Sequence, residues 1–113
     1  MTERLQIARA AAGIIRLGSQ QLEDILASEG INPQEAAAVL REVFCESDPG
    51  GGVLGAVAQL LTTAAGTADR LDADGDGDAS CPLQEAAGFI AGATGDRVYA
   101  ATRVLDPEGE RTP

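Results

Sequence analysis

Apolar residues recur every three or four positions along most of the chain, and no two-residue alternation lasts long enough to make a strand. The pattern predicts an all-α protein, a small helical bundle of five to six helices. Thr2 caps a first helix that Gly18 ends at Leu17; Leu5, Ala8, Ala12 and Ile15 share one face, with Gln6, Arg9, Gly13 and Arg16 opposite. Ser19 caps a shorter second helix, carrying Leu22, Ile25 and Leu26 until Gly30. Asn32-Pro33-Gln34-Glu35 is the strongest start signal in the chain, with an N-cap, Pro at the first helical position and Glu placed to reach back. The helix it opens carries Ala36, Leu40, Val43 and Phe44.

Asp48-Pro49-Gly50-Gly51-Gly52 is a break. A longer helix follows, with Val53, Val57, Leu60, Leu61, Ala64 and Ala68 expected inward. Pro82 opens another, with Leu83, Ala86, Ala87 and Ile90 inward, which the stretch from Gly92 to Gly95 should stop. Asp96 to Leu105 makes the last. A single helical domain over 1–105 and a flexible acidic tail over 106–113 are therefore expected.

Composition narrows the function classes. Of 113 residues only three are aromatic (Phe44, Phe89, Tyr99), so the core must be built largely from small side chains that bury little area each. Net charge is −10, with no Lys and no His; all eight cations are Arg. Without a basic stripe or patch, neither nucleic acid nor an anionic membrane is an expected partner. Arg4, Arg9 and Arg16 interrupt the N-terminal apolar residues, and Gln59, Thr62 and Thr63 interrupt the longest weakly polar stretch. Neither reads as a leader or a membrane span, so a cytoplasmic protein with reduced Cys45 and Cys81 is expected.

Asp72-Ala73-Asp74-Gly75-Asp76-Gly77-Asp78 carries four carboxylates on alternate residues. Side chains at every second position of a turning loop converge on one point, and Gly77 can take the positive φ of a sharp turn. From Asp69 to Asp78 there are five acids against Arg70 alone. Such crowding suits a hard cation; the bland reading is a solvated acidic turn between helices.

Helix, Asp-x-Asp-x-Asp-Gly, helix: over about thirty residues, from Ala64 to Ile90, the chain resembles the EF-hand calcium-binding family. The resemblance implies Ca2+ as the cofactor. With Asp72 at loop position 1, Asp74 and Asp76 fall at 3 and 5 and Gly77 at the glycine; Asp78 would offer its carbonyl and Ser80 would act through a water. Starting at Asp74 instead brings Glu85 to position 12 but places Ala79 where glycine belongs. In the first register Leu83 stands where the family has its bidentate Glu, and Ala79 where it has a pairing hydrophobe. Glu85 could close a lengthened loop, Asp78 could ligate by its side chain, or water could fill the place. Losing that carboxylate implies weak affinity, on the order of 10⁻⁵ to 10⁻³ M.

The family's loops work in pairs, and the one candidate here, Glu46 to Val53, is better read as a Gly-rich turn. A homodimer would supply the missing partner. With one Met, at its start, and two Phe, the chain lacks the groove of a sensor, so the ion is expected to stabilise or buffer. The alternative is an assembly protein that docks on a larger complex through Ala-rich helical faces, the acidic loop being incidental. An enzyme is not expected: there is no His, no nucleophile beside a base, and Gly50-Gly51-Gly52 has no following Lys.

Overall fold

A computed structural model describes residues 2–72 and 75–109. All regular structure among them is helical: α1 (Glu3–Leu26), α2 (Pro33–Val43), a 3₁₀ turn (Pro49–Gly51), α3 (Val53–Leu71), α4 (Ser80–Phe89), a π-helical segment (Ile90–Thr94) and α5 (Gly95–Leu105). Because α4 runs through the π segment into α5 without a break, these make four continuous rods, where five to six helices were expected. The chain divides into two compact units, Met1–Asn32 and Pro33–Pro113. Residues 110–113 of the expected tail lie outside the described residues.

In the first unit Thr2 caps α1 as expected, its Oγ1 accepting from the Leu5 amide at 3.1 Å. Gly18 does not end the helix. Its φ is not positive, so it stays in the helical well at a cost of about 1 kcal/mol relative to Ala, and Ser19 continues the helix rather than capping a new one. The end comes at Leu26, where the Ala27 amide bonds the Glu23 carbonyl at 2.9 Å and Ser28 Oγ donates to the Ile25 carbonyl at 2.5 Å. Gly30, at φ +83°, then turns the chain. No side chain of α1 is buried.

In the second unit Pro33 opens α2 at the predicted place, and the Asp48–Gly52 break folds as the 3₁₀ turn. The main contacts are α3 on α4 and α2 on α5. Ala37, Ala65 and Ala87 are buried beside Phe44, the one large side chain in the core. Along α3 the expected face is largely the covered one: Val57, Leu61, Ala64 and Ala68 are half-buried, with Ala65 fully inside beside them in the helix, whereas Val53 and Leu60 are 41% and 58% exposed.

The Gly92–Gly95 stretch was expected to stop a helix, yet Ile90–Thr94 passes through it as a π turn, which widens the spiral without ending it. The reason lies at Gly95. Its backbone sits under the Phe44 ring, and a Cβ there would meet Cε1 at 2.5 Å and Cζ at 2.8 Å. The core's only large ring therefore fills the space that glycine leaves. Beside it, buried Thr102 satisfies its hydroxyl on the Val98 carbonyl at 2.9 Å.

Candidate metal centre

The acidic loop joins the two helices that pack most closely in the second unit. Asp72 closes α3, its amide bonded to the Ala68 carbonyl at 2.9 Å. The Gly75 amide returns to the Asp72 carbonyl at 3.0 Å, and the Asp72 carboxylate curls over the face of Gly75 that a Cβ would occupy. Gly77 takes φ +85°, the left-handed conformation that its place in the loop predicts. The Gly77 carbonyl then accepts from the Cys81 amide at 2.9 Å, which ties the turn to the first residues of α4.

The proposed ligands are placed unequally. Asp72, Asp76 and Asp78 are exposed, Ser80 is buried at the start of α4 (4% exposed), and Glu85 is exposed on α4. Asp74 lies outside the described residues, as does Ala73. Among the described residues no three His, Cys, Asp or Glu side chains are gathered tightly enough to hold a metal ion. Arg70, the only cation in the loop's neighbourhood of the sequence, donates to Thr67 Oγ1 at 3.3 Å. No ion pair among the described residues involves Asp72, Asp76 or Asp78.

One feature of this loop is repeated elsewhere. Asp48 with Gly51 and Asp106 with Gly109 make the same end contacts as Asp72 with Gly75. In each the glycine amide bonds the Asp carbonyl (3.0, 3.3 and 3.0 Å), and the carboxylate folds over the glycine. The three Asp share one backbone conformation, with φ between −115° and −146° and ψ between 62° and 74°. Asp at the first and Gly at the fourth position is a β-turn preference, and Pro at the second strengthens it in two of the three. The spacing was legible in the sequence, but the carboxylate alternation masked it at Asp72.

Two polar contacts that periodicity does not reveal accompany these turns. Arg41 Nη2 pairs with Asp106 Oδ2 at 3.1 Å, with side chains 21% and 14% exposed, and also reaches the Asp106 carbonyl at 3.5 Å. Residue 106, expected in the tail, is thus joined to α2. Beside the Asp48 turn Glu46 hydrogen-bonds Tyr99 and raises the phenol above its ordinary pKa, opposed by Arg103, whose Nη1 lies 3.5 Å from the hydroxyl. Cys45 and Cys81 are free thiols, Cys45 Sγ being 3.1 Å from Ser47 Oγ.

Comparison with protein-family models, with characterised proteins and with solved structures finds no match to this chain. Among the described residues no helix is long and apolar enough to cross a membrane.

Proposed function

We propose that this is a small acidic calcium-binding protein in which Ca2+ orders the EF-hand-like loop between α3 and α4. The observation that carries the reading is Gly77. It stands at the glycine position of the Asp72 register and adopts φ +85°, while Asp72, the first ligand, starts the loop where α3 ends. An ion drawing Asp72, Asp74, Asp76 and Asp78 together would relieve their mutual repulsion and fix the α3–α4 connection. Ser80, buried at the helix start, would act through its hydroxyl and a water, and Glu85 would reach the ion only if the first turn of α4 rearranged. The role is structural or buffering, because the chain has a single Met and two Phe, and no Met-rich groove waits to open.

Isothermal titration with CaCl2, compared with MgCl2, tests this. Saturable heat with a dissociation constant on the order of 10⁻⁵ to 10⁻³ M, absent in Asp76→Asn, is expected. No heat at millimolar Ca2+ rejects the reading. A second reading, an interaction protein that acts through helical faces, is favoured by α1, where Ile7, Ile14, Ile15 and Leu17 are each more than half exposed.

A further inference from the structure

Apolar residues of α1 fall on a 3,4 spacing that makes a continuous seam along the helix. Ala8, Ile15 and Leu22 take one position of a seven-residue repeat, and Ala11, Gly18 and Ile25 take the other. Ile15 is 57% exposed and Ile25 49%, and Leu22 is half-buried. The seam is flanked by Ile7 (62%) and Ile14 (72%).

Its sizes are not random. In an antiparallel pair of helices the two seam positions face one another, and here every facing pair joins a large residue to a small one. Ile25 of one copy meets Ala8 of the other, Leu22 meets Ala11, and Ile15 meets Gly18; the twofold axis repeats the set, making six layers. In a parallel pair Ala8, Ala11 and Gly18 would each face themselves and leave voids, so that half of the layers would be under-packed. Gly18 is otherwise unexplained. It sits in the middle of a helix, where glycine is unfavourable, at a φ that any residue accepts, and a Cβ there would meet nothing within 4 Å.

Charge points the same way. Residues 3–16 carry three Arg and one Glu, whereas residues 17–29 carry three acids and no base. The helix dipole disfavours that order, since it prefers anions at the N-terminus and cations at the C-terminus. An antiparallel neighbour reverses this order: the Arg-bearing half of one copy lies along the half of the other that carries Glu23 and Asp24.

We propose that the exposed face of α1 is a self-association surface, and that two copies of this chain pair through antiparallel α1 helices in the Ile15–Gly18 register. The pairing does not depend on the calcium reading, since no residue of the acidic loop belongs to it.

Sedimentation equilibrium of the full chain, in reducing buffer with chelator, tests it. The mass should climb from 11.5 kDa toward twice that value over the micromolar range. Ala11→Leu, which crowds Leu22, should weaken the dimer by at least about tenfold. Ala11→Leu with Leu22→Ala, which exchanges large and small across one layer, should restore it to within about threefold. Circular dichroism of each variant checks that the helices persist. A mass of 11.5 kDa at every concentration overturns the proposal, and so does a dimer that Ala11→Leu leaves unchanged or that the Ala11–Leu22 exchange does not restore.

Discussion

Asp106 and Asp72 make the same contacts with the glycine three residues on and have opposite surroundings. Each closes a helix, each accepts the amide of a glycine three residues on, and each folds its carboxylate over that glycine. Asp106 has Arg41 at 3.1 Å and is mostly buried. Asp72 is exposed, shares its neighbourhood with four other acids, and has its one sequence-adjacent cation, Arg70, engaged by Thr67. A carboxylate that is equally good at shaping a turn becomes a structural brace where the fold supplies a guanidinium. Where it does not, the carboxylate stands exposed, which is the surrounding that the proposed calcium site requires. The contacts with glycine are common to both; the charge balance around them differs.

The largest difference between the two turns should be seen on removing the brace. Arg41→Ala leaves Asp106 without its ion-pair partner in a largely desolvated place, and should cost about 1–3 kcal/mol in urea unfolding, with or without Ca2+. Arg70→Ala, at the exposed loop, should change stability by less than about 0.5 kcal/mol. Equal losses would mean that the two environments are not distinct. Gly77→Ala comes next. A side chain at φ +85° is strained and its Cβ would lie 2.9 Å from Cys81 Sγ, so a loss of about 1–2 kcal/mol is expected in chelator, together with loss of Ca2+ affinity.

A smaller effect separates the third turn from the other two. Glu46 holds Tyr99 above its ordinary pKa of 10.0 by accepting its hydroxyl proton, so the contact favours the protonated phenol. Its contribution is intact below the unfolded pKa and disappears as pH rises through the higher folded one. Glu46→Gln should move the absorbance titration of Tyr99, the only tyrosine, to lower pH; a midpoint unmoved by the change would deny the contact.

Helix identity was legible in the sequence where a residue permits one outcome. Thr2 and Pro33 mark starts, and Asp48-Pro49-Gly50-Gly51-Gly52 interrupts. Gly18 and the Gly92–Gly95 stretch misled, because glycine permits a stop without requiring one. In Ala-rich surroundings the helical hydrogen bonds continue through it. At Gly95 the decisive partner, Phe44, is 51 residues away in the chain, and no local pattern reveals it. A separation of 65 residues likewise hid Arg41–Asp106. Along α3 the apolar residues are too many to point to one face, so Leu60 was placed inward when Ala65 is. In the acidic loop, by contrast, the turn at Gly77 follows from its own residues and their immediate neighbours.

On the reading proposed above, a calcium ion completes the Asp72–Asp78 loop. Thermal unfolding in 10 mM CaCl2 against chelator tests it most directly, because an ion bound only by the folded state raises stability by mass action, to about 2.7 kcal/mol at a hundred times the dissociation constant. The account predicts a midpoint several degrees higher with Ca2+, little changed by the same concentration of MgCl2, and a Ca2+ effect abolished by Asp76→Asn. Coincident unfolding curves in CaCl2 and in chelator would contradict it.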